Sequence, residues 1–201
     1  MINNNQLLQF KNAIGKVHLI DDECLSELQS ISYYHKLEKN EYFSKEGQYN
    51  EKFGMIIDGI MRIFYLSKNG EEHNKYFCLA NDFVTASIKP DKKSITNIQA
   101  LTETTLVCLP YSKLIVLSEK FEQIRIFIQQ LTLNYLEQKQ KKEIYLLSNE
   151  SIDNYLLFLK SYPGLINQIP HYHIASYLGI TPTQLSRVRK KLEINRKHQH
   201  M

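Results

Sequence analysis

The 201-residue sequence has no tryptophan, three cysteines, five prolines and seven glycines. Each shortage excludes something. So little glycine and proline rules out a collagen-like or low-complexity chain. The cysteines (Cys24, Cys78, Cys108) are odd in number, far apart and not in a CxxC. They form neither a disulfide framework nor a zinc site, and fit reduced thiols in a cytoplasm. No apolar run approaches the ~18–20 residues of a membrane span. Residues 1–10 carry neither the basic leader nor the apolar block of a secretory signal. What is present is 43% hydrophobic and 23% charged, with thirteen tyrosines and nine phenylalanines. That is enough for a sizeable core in one or two domains.

Charge is unevenly placed. Residues 1–150 hold eighteen Lys/Arg and nineteen Asp/Glu, whereas 151–201 hold seven and two. Six of those seven cations follow Thr183. A basic cluster at one end of a folded chain suggests a polyanionic partner, or, more blandly, a solvated helix face.

Periodicity divides the chain into blocks. In 1–30, Leu7, Leu8, Phe10, Ile14 and Val17 recur at helical spacing, and Asp21 and Asp22 can cap a second short helix carrying Cys24, Leu25 and Leu28. Residues 31–110 read as β, with turns at Glu46-Gly47, Asp58-Gly59 and Asn69-Gly70. The Asn-Gly pair predicts a type I′ hairpin between 60–66 and 71–79. Further strands are expected over 95–101 and 104–109, closed by Pro110. Many short strands with regular turns suggest a barrel or sandwich.

Leu117, Phe121, Ile124, Ile128, Leu131 and Tyr135 then follow steps of 4, 3, 4, 3 and 4, a heptad pattern. A helix over 118–147 would be on the order of 45 Å long. Its stripe is read as a dimer seam, with Phe127, Leu133 and Leu136 resting on the β domain. The alternative is an ordinary amphipathic helix covering one core. A short helix opened by a Ser151 cap is expected over 151–160 and ends at Pro163-Gly164.

The segment 169–192, IPHYHIASYLGITPTQLSRVRKKL, has helix-turn-helix spacing. Ile174 and Leu178 are apolar on the first helix, Ala175 is small where a second helix approaches, and Gly179 sits at the turn. Thr181 is the expected N-cap, Pro182 the first helical residue, and Gln184 completes a T-x-x-Q capping box. Leu185, Val188 and Leu192 share one face. Thr183, Ser186, Arg187 and Lys190 share the opposite one, flanked by Arg189 and Lys191. A helix lying in a major groove needs that arrangement. Arg187, Thr183, Ser186 and Gln184 are the candidate base contacts, although Gln184's capping role competes. His171, Thr181, Arg189, Lys190 and Lys191 are the candidate phosphate contacts. Arg196, Lys197, His198 and His200 add cations or imidazoles beyond. The bland alternative is a helical hairpin that merely packs.

The order β-roll, long helix, helix-turn-helix resembles the catabolite activator / fumarate-nitrate regulator (Crp/Fnr) superfamily over about residues 10–192. The resemblance is sharpest at HYHIASYLGITPTQLSRVRKKL, which is similar to compact Bacteroidetes-type members. The segments around Gly47, Asp58-Gly59 and Asn81-Asp82-Phe83-Val84 resemble the family's β-roll turns. The resemblance implies an α+β fold: an N-terminal cyclic-nucleotide-binding-like β-roll (double-stranded β-helix) over 1–116, a dimerisation helix over 117–148, and a C-terminal winged-helix-like DNA-binding domain over 149–201. It implies a homodimer on a palindromic double-stranded operator with half-sites ~34 Å apart, RNA polymerase as a partner if the protein activates, a cytoplasmic location and no membrane.

Two departures alter that picture. Members that bind cyclic AMP carry Gly-Glu for the ribose and Arg-Ser or Arg-Thr for the cyclic phosphate. Here Thr85-Ala86 and Ser94-Ile95 stand in those places, so neither charged anchor is present and the pocket reads as degenerate. An unpaired buried phosphate is disfavoured. Lys89, Lys92 and Lys93 lie close by in sequence. The expectation is a regulator not gated by cyclic AMP. The alternative is a cyclic-nucleotide-responsive one with a non-standard phosphate site. At the DNA end, Pro182-Thr183 replaces the Arg-Glu of many relatives while Arg187 is kept, and the short stretch after Leu192 implies a missing or vestigial wing.

No cofactor and no metal are expected: an iron–sulfur cluster would need more N-terminal cysteines than Cys24, and His73 alone is a poor haem ligand. No nucleophile, carboxylate pair or phosphate loop accompanies His171, Tyr172 and His173, so no catalytic residue is assigned. A protein–protein adaptor using the same surface is the third reading.

Overall fold

The computed structural model describes residues 2–49, 51–87, 89 and 92–198. The chain begins with α1 (Asn4–Val17) and α2 (Asp22–Ser30). Asn3 and Gln6 cap α1 reciprocally: each side-chain oxygen accepts from the other's backbone N–H. Asp21 caps α2 by accepting from Cys24 N–H at 2.8 Å, and that bond lowers the Asp21 carboxyl below its usual range.

Eight strands follow: β1 (Tyr33–Leu37), β2 (Tyr42–Ser44), β3 (Lys52–Asp58), β4 (Met61–Leu66), β5 (Glu72–Cys78), β6 (Phe83–Thr85), β7 (Asn97–Ala100) and β8 (Thr104–Pro110). They form two four-stranded sheets, ordered β1-β8-β3-β6 and β2-β7-β4-β5. Between the sheets lie Phe43, Ile56, Met61, Ile98, Leu106 and Cys108. The other face of β3 and β8 presents Phe53, Met55, Val107 and Leu109 to a second core built with Phe10, Ile14, Leu28 and Leu114. Strand alternation therefore explains why Leu106 through Leu109 are all buried: both faces of β8 are covered. Each fully buried apolar side chain of this kind contributes ~1.5–3 kcal/mol.

The β4–β5 connection differs from the expected type I′ turn. Gly70 has φ 81°, but Asn69 is not among the positive-φ residues. Gly70 N–H donates to Ser67 O at 2.9 Å and Ser67 N–H to Glu71 O at 2.9 Å. Four residues with one left-handed glycine make the wider turn that leads into a bulge. At the Asp58-Gly59 turn, φ is 106° and a Cβ on Gly59 would lie 2.5 Å from Thr104 Oγ1, so glycine is required twice over.

The expected single helix over 118–147 is instead two: α3 (Tyr111–Lys120) and α4 (Glu122–Ser148). Phe121 between them is extended, with φ −117° and ψ 114°. Part of the expected dimer seam is therefore taken up by the chain's own core. Leu117 and Ile124 are on different helices and buried in the chain's own core, Ile124 completely. Phe121, Ile128 and Leu131 pack against that core, and the Tyr135 ring lies 5.2 Å from that of Tyr76. The stripe is apolar because it covers β3 and β8 together with α1 and α2. Of the second stripe, Phe127 is buried as expected, but Leu133 and Leu136 are exposed.

The chain divides into two units: residues through Tyr65 with Lys75–Leu136, and Leu66–Asn74 with Glu137 onward. The division falls inside α4, earlier than position 149. The second unit adds α5 (Ser151–Ser161), a 3-10 turn at Leu165–Asn167, α6 (His171–Leu178) and α7 (Pro182–His198). Its core comprises Tyr155, Phe158, Leu165, Ile174, Leu185 and Val188, among others. The N-cap of α5 is Glu150, whose side chain makes no capping bond; Ser151 is the first helical residue rather than the cap. Among the described residues, no helix is long and apolar enough to cross a membrane.

Candidate nucleic-acid interface

Local sequence builds the α6–α7 turn. Gly179 is left-handed at φ 68°, ψ 26°. Ile180 N–H donates back to Ala175 O at 3.0 Å and Gly179 N–H to Ser176 O at 3.3 Å. This paired closure ends α6 sharply at a residue without a Cβ penalty. Thr181 and Gln184 then open α7: Thr181 N–H donates to Gln184 Oε1 at 2.8 Å, and Gln184 N–H donates to Thr181 Oγ1 at 3.1 Å. Ile174 and Ala175 are fully buried beneath Leu185 and Val188, so α7 is held by one face.

The opposite face is open. Thr183, Ser186, Arg187, Lys190 and Lys191 are exposed, as are Thr181 and Pro182. Gln184 is exposed too, but its side-chain oxygen is committed to the cap. Arg189 is half-buried and its Nη1 donates to His171 Nδ1 at 2.9 Å, joining the first residue of α6 to α7. Two residues expected on phosphates are thus brought side by side. The side chains of Arg196, Lys197 and His198 lie outside the described residues, as does His200 altogether. The helical backbone continues to His198, and no strand follows it among the described residues.

One part of this unit escaped sequence reasoning. His173, paired in the reading with His171, is buried, and Asn74 of β5 meets it: Asn74 Nδ2 donates to His173 O at 3.0 Å and lies 3.3 Å from His173 Nδ1. Asn74 N–H donates to Ser176 Oγ at 2.9 Å, and Ser176 Oγ donates to Glu72 O at 2.8 Å. The Lys142 ammonium sits 3.5 Å from the Tyr177 ring centroid, and burial pushes the Tyr177 hydroxyl pKa up. No local pattern near 74 signals these bonds, which cross about a hundred residues of sequence.

In the β-roll segment expected to be a degenerate nucleotide pocket, the neutral side chains bond to nearby backbone. Thr85 Oγ1 donates to Ser87 O at 3.3 Å. Ser94 is buried, and its hydroxyl approaches Thr96 O at 2.7 Å and Ala86 O at 3.1 Å. Ile95 is 77% exposed, and Lys89, Lys92 and Lys93 are exposed. The buried cation nearby on β4, Arg62, is bonded through Nη2 and Nε to Gln99 Oε1 at 2.6 and 2.9 Å. Thr85, Ala86, Ser94 and Ile95 bring no charged side chain of their own to this place. Among the described residues there is no cluster of three or more His, Cys, Asp or Glu able to hold a metal.

Residues 34–121 match the cyclic nucleotide-binding domain family. The chain is 24% identical over 191 residues to the transcriptional activator protein Anr of Pseudomonas protegens, covering 89% of this chain and 77% of that protein. It is similar in structure to FixK2 from Bradyrhizobium japonicum, with a TM-score of 0.74 at 17% identity over 82% of this chain and 86% of that one. It is also similar to CLP, a c-di-GMP responsive global regulator of Xanthomonas campestris, with a TM-score of 0.70 at 16% identity over 87% and 93%. These relatives share the α+β arrangement of β-roll, helix and C-terminal helices.

Proposed function

We propose, from the premise that this chain is a member of the Crp/Fnr family, that it is a homodimeric, sequence-specific DNA-binding transcription regulator with α7 as its recognition helix. The observation that carries the reading is the open face of α7: small polar residues at a capped N-terminus, then Arg187, Lys190 and Lys191, all exposed among the described residues. Thr183, Ser186 and Arg187 meet base edges, Arg187 by a bidentate contact to guanine. Thr181, His171, Arg189, Lys190 and Lys191 meet phosphates. Gln184 serves the cap. No residue is given a catalytic role. The protein works on a palindromic operator in the cytoplasm, and as an activator it would also contact RNA polymerase.

The dimer seam lies on the face of α4 that the β domain leaves bare. Leu133, Leu136, Ile144 and Leu147 are exposed at spacings compatible with one helix face, Ile144 at 54% and Leu147 at 83%. Apolar exposure of that extent along a helix is what a partner helix covers.

The test is fluorescence anisotropy with operator and random duplexes across a salt series. Affinity should fall steeply with salt as counterions compete. A protein–protein adaptor would show no such dependence. Calorimetry with cyclic AMP and cyclic GMP separates the alternative of a nucleotide-gated regulator, and no heat of binding is expected from either.

A further inference from the structure

The corner where β2 turns toward β3 encloses a cavity of about 390 Å³, within the size range of small-molecule sites. Its lining includes Tyr42, Ser44, Lys45, Tyr49, Glu51 and Lys52. None of Thr85, Ala86, Ser94 or Ile95 lines it.

Three features of this corner point to a ligand. The first is charge. Lys45 and Lys52 line the cavity, and Lys93 reaches the Tyr49 ring across the Tyr49–Lys93 bridge. None of the three has a carboxylate partner among the described residues. Their ammonium groups rest instead over Tyr42, Phe43 and Tyr49, 4.8, 5.1 and 5.5 Å from the ring centroids. The second is an orphan group. Ser44 is 8% exposed, and its hydroxyl has no hydrogen-bond partner among the described residues. Such a buried donor is unfavourable unless something accepts from it. The third is rigidity. Gly47 N–H donates to Ser94 O and Ser94 N–H to Gln48 O, both at 2.8 Å, and Lys45 N–H donates to Gln48 Oε1 at 2.9 Å. The walls are formed before any ligand arrives. The local field is positive as well: burial, and then Lys52, push the nearby His35 pKa down.

We propose that this corner binds a small aromatic oxyanion, a carboxylate or phosphate ester on a flat ring. The oxyanion lies between Lys45 and Lys52 and accepts from the Ser44 hydroxyl. The ring lies against Tyr49, the most open aromatic face of the corner. Glu51, the one carboxylate of the lining, favours an oxyanion held at the mouth of the site over one buried deep in it. The inference is independent of the DNA-binding reading.

The test uses the full chain at low salt with phenyl phosphate, benzoate and inorganic phosphate, followed by amide NMR and calorimetry. Phenyl phosphate or benzoate should bind at ~1 mM or tighter and shift the amides of Ser44, Lys45, Gln48 and Tyr49. The tighter of the two identifies the oxyanion. The Lys45→Ala/Lys52→Ala pair should weaken binding by about tenfold or more. Ser44→Ala should weaken it severalfold while the melting temperature holds or rises, since the orphan hydroxyl is gone. The proposal is overturned if neither compound shifts these amides up to ~10 mM, if the shifts stay within 85–96, if inorganic phosphate binds as tightly, or if the double lysine variant, still folded, binds unchanged.

Discussion

Arg189 donates from Nη1 to His171 Nδ1 at 2.9 Å, across eighteen residues of sequence. The bond ties the start of α6 to the third turn of α7. It takes up the Arg189 side chain, so the freer cations of the open face are Arg187, Lys190 and Lys191. His171→Ala should release Arg189 and leave operator preference intact while altering total affinity. Anisotropy on operator and random duplexes reads both.

Arg187 and Lys191 should behave differently from one another. Arg187→Ala should cost ~1–3 kcal/mol on the operator and little on random DNA. Lys191→Ala should weaken all duplexes alike and reduce the salt slope by about 1. If both variants bind operator and random DNA as the parent does, α7 does not face a duplex.

Ile144→Asp should shift the protein from dimer to monomer in sedimentation velocity with little change in melting temperature, because Ile144 is exposed in the single chain. Ile124→Asp should unfold the chain instead, since it would bury an unpaired charge in the core. The opposite pattern would restore the heptad stripe as the seam.

Gly59→Ala places a Cβ 2.5 Å from Thr104 Oγ1 and 2.6 Å from Glu103 O at φ 106°. A cost of ~1–3 kcal/mol or more is expected, lowering Tm by roughly 2–12 °C. Gly47→Ala, with open space around its Cβ position, should cost less in the same thermal scan.

Burial pushes the Cys24 thiol to about 11 and the Cys108 thiol to about 12, and raises Cys78 as well. Each raised value means the folded chain holds its proton more tightly than the unfolded one. The resulting stability is complete below the unfolded pKa of about 8.5 and is lost as pH climbs toward the folded values. Denaturant midpoints should therefore fall between pH 8.5 and 11 by this term. A thiol reagent at pH 8 should label all three cysteines only after unfolding; rapid labelling of the native chain would show that a thiol is accessible in the folded state.

Much of the α6–α7 unit was legible because its signals are local. The cap at Thr181, its reciprocal partner Gln184, the left-handed Gly179 and the buried Leu185 and Val188 fall within ten consecutive residues, so residue order alone determines them. The hairpin of β4 and β5 is local in the same sense, although its turn widened because only Gly70 left the right-handed region. Tertiary structure decided the rest. The stripe from Leu117 to Tyr135 is apolar whether it meets a second copy or the chain's own sheet, because periodicity reports that a face is covered and never by what. The extended Phe121 and the fit of Ile124 into the first unit's core show that part of the stripe covers the chain's own sheet. Asn74 is a surface-type residue in any window of sequence, and it is buried against His173 and Ser176 because the folded hairpin brings together backbone groups that must be hydrogen-bonded once water is gone.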